Sequence, residues 1–279
     1  MESKKLTVPD IKAKKKRGEK ITSLTAYDYP WALLADQGGI DIVLVGDSLG
    51  MVVLGYTDTV SVTMDEMIHH TKAVTGIVKQ SLVIADMPFG SYNVSVEKAV
   101  ENANRFMKEG RADGIKLEGG RSMAPVIKAI VNAGIPVQGH IGLTPQTASA
   151  LGGFKVQGKS AEAARALIDD AKALEEAGCF SVVLEAIPSA IAKMVTEAVS
   201  IPTIGIGAGA DCDGQVLVMY DMVGLFDRFV PKFVKQYAKI SPIISSAIAE
   251  FKADVESGKF PEEKHSFTIK TEELEKIKS

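Results

Sequence analysis

Cysteine, tryptophan and histidine are scarce in this 279-residue chain, which has two, one and four of them. The two cysteines, Cys179 and Cys212, are too few and too far apart for a disulfide framework or a four-thiolate zinc site, and that scarcity fits a reducing compartment. No apolar run approaches the roughly 18 uninterrupted residues that a membrane span requires, and the opening MESKKLTVPD lacks the apolar core of a signal peptide. A cytoplasmic protein with no membrane partner is the expectation. Nor is one sign of charge in excess: 32 Lys and Arg stand against 35 Asp and Glu, a net charge of −3 that draws nothing toward nucleic acid. P-loop, HExxH and GxSxG motifs are all missing.

What the chain does have is rhythm. Its 46% hydrophobic and 24% charged content suits a folded core. From residue 20 onward, short runs rich in Val, Ile and Leu alternate with longer stretches of helical period. The runs Ile21–Ala26, Ile42–Val45, Leu82–Ala85, Gly114–Leu117, Pro136–Gly139, Ser181–Leu184, Pro202–Ile206 and a weaker Val216–Met219 make eight candidate strands. Between them, Thr63-Met-Asp-Glu66 reads as a capping box, Ser95 and Ser160 as helix N-caps, and Gly110, Gly134 and Gly178 as helix ends. Ala164, Leu167, Ile168, Ala171 and Leu174 form one apolar stripe suited to a barrel wall.

Eight β-then-α units predict an α/β protein, a (β/α)8 barrel. No linker or break in composition divides residues 20–250, so residues 1–267 are expected to form one barrel domain with an N-terminal helix, and residues 268–279 a charged tail. Residues 4–20 carry eight Lys or Arg, read as a solvated helix face or frayed end in preference to a nucleic-acid arm.

In a parallel barrel the reactive groups gather at the C-terminal ends of the strands. Here the runs lead to Asp47 and Ser48, Asp86, Lys116 and Glu118, His140, and Glu185. Three carboxylates, Asp47, Asp86 and Glu118, without a thiolate or imidazole cluster suit a hard cation, Mg²⁺ before Zn²⁺, with water and substrate oxygens completing the shell. The structural alternative is that each Asp caps the turn after its strand. Glu185 lies between an apolar strand and Ala186-Ile187-Pro188, surroundings that strip water from a carboxylate and suit a general base; a rim ion pair is the alternative. Lys116 shares strand parity with Glu118 and points where Glu118 points, toward either a substrate anion or a salt bridge with Asp86 or Glu118. His140 is assigned a supporting contact to substrate or to a carboxylate.

Other features carry less chemistry. Gly205-Ile-Gly207-Ala-Gly209-Ala210 fits a relaxed dinucleotide fingerprint without its βαβ context, so close backbone approach is the preferred reading. His69 and His70 are adjacent on a helix and cannot share one metal. Met51–Thr63, with Gly55 and few core signals, is a candidate lid.

Taken in order, Thr25-Ala-Tyr-Asp28, Gly46-Asp-Ser-Leu-Gly-Met-Val52, Asp86-Met-Pro-Phe89 with Ser91-Tyr92, Lys116-Leu-Glu-Gly-Gly120, Gly139-His-Ile-Gly-Leu-Thr-Pro-Gln146, Gly205-Ile-Gly-Ala-Gly209 and Cys212-Asp-Gly-Gln215 strongly resemble the ketopantoate hydroxymethyltransferase family. The resemblance runs from about residue 6 to Phe267. It implies a barrel of the phosphoenolpyruvate mutase and isocitrate lyase type, in pantothenate and coenzyme A biosynthesis. The implied reaction joins 5,10-methylenetetrahydrofolate, 3-methyl-2-oxobutanoate and water to give 2-dehydropantoate and tetrahydrofolate.

By the same resemblance, Asp47, Asp86 and Glu118 hold one Mg²⁺ per subunit, Asp47, Ser48, Asp86 and Lys116 contact the oxo acid, and Glu185 accepts a proton. A decamer, a pentamer of dimers, is also implied. Two rivals stay open: a Mg²⁺-dependent lyase or mutase on the same barrel, and a binding or assembly barrel whose rim carboxylates only cap turns.

Overall fold

A computed structural model describes residues 4–226 and 228–278. The outermost residues of the two expected segments, 1–3 and 279, lie outside the described residues, as does residue 227. Eight strands, β1 (Ile21–Thr25), β2 (Ile42–Val45), β3 (Leu82–Asp86), β4 (Gly114–Glu118), β5 (Val137–Gly142), β6 (Ser181–Glu185), β7 (Thr203–Ile206) and β8 (Gly214–Leu217), close a barrel in chain order. Every neighbouring pair is parallel, and β8 returns to β1.

Each expected strand is present, and the differences lie at the ends. β3, β4 and β6 continue one residue past their apolar runs because the backbone pairing persists there: Asp86 lies opposite Lys116, Glu118 opposite His140 and Glu185 opposite Ile206. β8 begins two residues earlier than expected, at Gly214, which lies opposite both Ile21 and Ile204. A Cβ at Gly214 would sit 2.4 Å from the Ile21 carbonyl oxygen, so a glycine is what lets the barrel close there.

The helices are α1 (Val8–Arg17), α2 (Tyr29–Gln37), α3 (Leu49–Val52), α4 (Met64–Thr75), α5 (Val96–Lys108), α6 (Ala124–Asn132), α7 (Ala161–Glu176), α8 (Ser189–Ala198), α9 (Met219–Met222), α10 (Ser241–Glu256) and α11 (Thr271–Lys278). Thr63 and Glu66 form the expected reciprocal cap, and the Ser95 and Ser160 hydroxyls accept from the N–H groups of Lys98 and Ala163. Gly134 and Gly178 take left-handed φ values of 87° and 102°. Gly110 does not. Its Cβ would lie 2.8 Å from the Phe106 carbonyl oxygen, so close packing is its reason for being glycine. Among the described residues no helix is long and apolar enough to cross a membrane.

Alternation along the strands sorts the core into two layers. Ile21, Ile42, Leu44, Leu82, Ile84, Val183, Ile204 and Val216 pack together with Phe180 and with Ile11 of α1 as the barrel's own filling. Their neighbours in sequence, among them Val43, Val45, Val83, Ala85, Val182 and Leu184, pack in the larger layer beneath the wall helices. α1 closes the barrel floor.

The basic N-terminal segment serves that floor. Lys5, Lys14 and Lys15 pair with Asp113, Asp41 and Asp213 at 2.7, 2.6 and 2.9 Å. Each of these aspartates also accepts a backbone N–H from an adjoining strand, from Val83, Thr22 and Thr203 respectively. Three of the eight basic residues are therefore a clasp on the barrel. The chain after β8 is different in kind: α10 has no buried residue.

Candidate active site

The same alternation that points Ile84 and Val183 into the barrel points Asp86 and Glu185, two residues later, into its opposite end. Lys116, Glu118 and His140 follow from the register that pairs Asp86 with Lys116 and Glu118 with His140. All but Glu185 are buried; the Glu185 side chain retains 16% of its exposure. Asp47 joins them from the sharp turn after β2. A Cβ at Gly46 would lie 2.9 Å from Ser48 Oγ and 3.8 Å from Asp86 Oδ2, so that turn can approach the carboxylates because it carries no side chain.

Direct contacts tie the cluster together. Lys116 Nζ donates to Asp86 Oδ1 at 2.6 Å, and the Asp47 N–H donates to Asp86 Oδ2 at 3.3 Å. Gln146 Nε2 donates to Asp47 Oδ2 at 2.8 Å, while the Gln146 backbone N–H donates to Glu118 Oε2 at 3.1 Å. Ser48 sits at the edge, its hydroxyl sharing a 2.8 Å hydrogen bond with the Tyr27 hydroxyl. Glu185 is followed by Ala186 at φ 47°, a left-handed conformation unusual for a residue with a side chain. The Ala186 N–H donates to the Ile206 carbonyl and its own carbonyl accepts from the Gln157 N–H, which holds that bend in place.

The electrostatics are those of too many carboxylates for one ammonium. Burial, with the nearby Asp86 carboxylate, pushes Asp47 up to about 7 against the opposing pull of Lys116 and Gln146. Burial likewise raises Glu118 well above the usual carboxylate range, with Asp47 and Asp86 adding to it. At Lys116 burial works against the ammonium, but Asp86, Glu118 and Asp47 outweigh it and the pKa rises, so the amine stays charged. His140 lies between two further carboxylates, its Nδ1 3.6 Å from Glu118 Oε1 and its Nε2 3.3 Å from Glu185 Oε2. Neither approach is aligned for a hydrogen bond, and both ring nitrogens are buried without one.

These features fit a divalent cation at Asp47 and Asp86. An added positive charge relieves the repulsion that lifts the carboxyl groups, and oxygen donors are the ligands Mg²⁺ prefers. Among the described residues no three Asp, Glu, His or Cys groups stand close enough to form a ready-made cage. A cation there would take its remaining ligands from water and from a substrate's oxygens, as Mg²⁺ commonly does.

Each candidate residue has contacts of its own. Asp47 and Asp86 do not cap their own turns; their carboxylates accept from Gln146, Lys116 and the Asp47 N–H. Lys116 takes Asp86 as its partner. Glu185 has no Lys or Arg partner among the described residues, and His140 is its near neighbour. The glycines of 205–209 serve close approach: a Cβ at Gly207 would lie 2.7 Å from Phe233, and one at Gly209 2.4 Å from Ser189. His70 Nδ1 bonds the Tyr27 carbonyl oxygen at 2.6 Å, a packing role. The Met51–Thr63 segment is better anchored than its sequence suggests, with Thr59 and Val62 buried and the Tyr56 hydroxyl on Glu66 at 2.5 Å.

Sequence reasoning assigned no role to Gln146 or Tyr92, although both stand in the quoted motifs. Their signal was slight: polar residues in Pro-containing loops, whose partners come from other strands. Asp221 was also unremarked; burial pushes its carboxyl up to about 6.

Comparison with known proteins shows the family and the fold. The family described as ketopantoate hydroxymethyltransferase matches residues 5–263. A 3-methyl-2-oxobutanoate hydroxymethyltransferase of Syntrophobacter fumaroxidans is 60% identical over 273 residues, 98% of this chain and 96% of that protein. The enzyme of the same name from Heliobacterium modesticaldum is 58% identical over 270 residues, 97% of this chain and 98% of its own. Among solved structures, a phosphonopyruvate hydrolase complexed with oxalate and Mg²⁺ superimposes with a TM-score of 0.61 at 13% identity, covering 93% of each chain. A 2,3-dimethylmalate lyase of the phosphoenolpyruvate mutase/isocitrate lyase superfamily gives 0.56 at 14% identity, covering 98% of this chain and 94% of its own. At such identities the two structures speak for the fold alone.

Proposed function

The chain belongs to the ketopantoate hydroxymethyltransferase family, and from that premise we propose how its barrel mouth performs the family's reaction. It transfers a hydroxymethyl group from 5,10-methylenetetrahydrofolate to 3-methyl-2-oxobutanoate, through an enolate of the oxo acid, to give 2-dehydropantoate. The observation that carries this reading is the convergence of Asp47, Asp86, Lys116, Glu118 and Glu185 on one mouth of a chain that matches the family over residues 5–263.

Asp47 and Asp86 would hold the Mg²⁺, with Glu118 completing the site. When bound, the cation supplies a Lewis acid for the carboxylate and keto oxygens of the oxo acid, which makes the C3 proton more acidic. Asp47, Ser48, Asp86 and Lys116 bind and orient the oxo acid. Glu185 removes the C3 proton; its partial exposure gives that proton a route to water. The buried Lys116 ammonium stabilises negative charge developing on the keto oxygen more than it stabilises the ground state. His140, between Glu118 and Glu185 with both ring nitrogens unbonded, would give a supporting contact to the substrate or to one of these carboxylates. Carbon 3 then attacks the methylene carbon of the folate as one of its two C–N bonds opens to an iminium. The second C–N bond breaks as water gives its hydroxyl to that carbon and its proton to the folate nitrogen, so that tetrahydrofolate leaves.

Residues 1–267 act as the catalytic unit in this reading, with 268–279 outside it, in a cytoplasmic homodecamer built as a pentamer of dimers. The apolar residues of α10 that face outward, Ile243, Ile244, Ile248, Phe251 and Val255, support assembly with further copies.

The reading is tested by incubating purified protein with the oxo acid, the folate and Mg²⁺. 2-Dehydropantoate is expected, along with Mg²⁺-dependent deuterium exchange at C3 in heavy water when folate is omitted. Failure to form product with Mg²⁺, Mn²⁺, Co²⁺ or Zn²⁺ would overturn it. Exchange without any product on adding folate would favour the lyase or mutase reading.

A further inference from the structure

Gln146 is buried at the barrel mouth, in the short 3₁₀ turn Pro145–Thr147 that follows β5. The chemistry above leaves it without work, yet its hydrogen bonding is full. The amide Nε2 donates to Asp47 Oδ2 at 2.8 Å and to the Met87 carbonyl oxygen at 2.9 Å. Its Oε1 accepts from the Tyr92 hydroxyl at 2.7 Å, and its backbone N–H donates to Glu118 Oε2 at 3.1 Å.

The pattern admits one orientation. An amide group has two N–H donors on one side and an acceptor oxygen on the other. Turned over, it would set Oε1 against the Asp47 carboxylate and the Met87 carbonyl, leaving two buried acceptors facing a third. The side chain ties the turn after β2 to the loop after β3, and the backbone N–H of the same residue ties the end of β4 to both.

We propose that Gln146 is a positioning residue for the cation site: it holds the Asp47 and Glu118 carboxylates in one mutual arrangement, while Tyr92 holds Gln146. One oxygen of each carboxylate, Asp47 Oδ2 and Glu118 Oε2, is occupied by Gln146. Asp47 Oδ1 has no hydrogen bond among the described residues and remains for an ion, and Glu118 Oε1 faces His140. A divalent ion then meets carboxylates already oriented, without first having to order them. Outer partners of this kind change metal affinity by roughly 10- to 100-fold when removed. The proposal rests on the reading of Asp47 as a cation ligand.

The test is calorimetric titration of Mg²⁺ into the folded protein, without substrate, for wild type, Gln146→Met, Tyr92→Phe and Asp47→Ala, with a thermal melt of each. Methionine preserves length and volume without the amide. Gln146→Met is expected to weaken Mg²⁺ binding by roughly 10- to 100-fold, and Tyr92→Phe by a smaller factor in the same direction. Raising Mg²⁺ should restore C3 exchange in Gln146→Met, because the base is untouched. Unchanged Mg²⁺ affinity in a cooperatively melting Gln146→Met, or exchange that no Mg²⁺ concentration restores, overturns the proposal. Should Gln146→Met not fold, unchanged affinity in Tyr92→Phe overturns it instead. Weakened binding in Asp47→Ala beside unchanged binding in Gln146→Met refutes the positioning role alone; unchanged binding in Asp47→Ala removes the ligand reading and this proposal with it.

Discussion

Glu185 and Lys116 divide the work of the site by how far water reaches each: the Glu185 side chain keeps 16% of its exposure and Lys116 only 5%. A base that must return its proton needs contact with solvent, whereas an ammonium that stabilises developing charge acts most strongly where the dielectric is low. Glu185→Gln is therefore expected to retain Mg²⁺ and oxo-acid binding and to lose C3 deuterium exchange by at least 10²-fold, the lower range for a positioned base. Exchange at the wild-type rate, followed by NMR, would show that another group takes the proton. At this scale the sequence was informative wherever a strand's period determined direction. Asp86, Glu118 and Glu185 could be placed at strand ends on one rim, and Lys116 on the same side as Glu118; which side is the inner one is set by packing, because these runs are apolar on both faces. The choice of Asp86 as the partner of Lys116, and the bridge made by Gln146, depend on distances between strands, which no single run encodes.

Asp36 shows how one element's end fixes the next element's entry. It lies in α2, and its carboxylate accepts from the N–H groups of Lys79, Gln80 and Ser81 and from the Ser81 hydroxyl, at the threshold of β3. Burial raises its pKa, but these four donors outweigh burial, and the net effect holds the carboxyl below its usual range. A depressed folded pKa contributes stability that is present above the unfolded value, roughly 3.9, and is lost as pH falls through the folded one. Asp36→Asn is expected to cost on the order of 2 kcal/mol at pH 7, the scale of hydrogen bonds to a charged acceptor. That gap should narrow as pH falls below about 4, where the unfolded chain's Asp36 takes up a proton while the folded carboxylate is still ionised. Urea titrations at pH 7 and pH 3 check this, and a gap that stays constant would assign the loss to something other than charge. Element starts such as the Thr63 cap were readable because cap and helix adjoin in sequence. The Asp36 bonds were not, since donor and acceptor are more than 40 residues apart.

At the scale of the molecule, the barrel and its core account for the chain to Val223, and the exposed apolar residues of α10 call for another explanation. On α10, Ile244, Ile248, Phe251 and Val255 recur at intervals of four, three and four, one stripe of a helix, and none of them is buried. A stripe of that period is the mark of a face that packs, and an exposed one is the surface on which the proposed assembly can be tested. The barrel was legible from eight apolar runs because each strand pairs with its sequence neighbour, so order along the chain is order around the sheet. An oligomeric state is not legible in this way, because an assembly is settled by surfaces facing other copies, and periodicity locates such a face without counting the copies. Replacing Ile244 and Ile248 by Glu puts two charges one turn apart on that stripe while leaving the barrel untouched. If the proposed decamer forms through this face, sedimentation velocity is expected to show smaller species for the variant than for wild type, with the far-ultraviolet circular dichroism of the barrel retained. An unchanged sedimentation coefficient would mean that the stripe faces something other than a second copy, and that the decamer, if it forms, is held elsewhere.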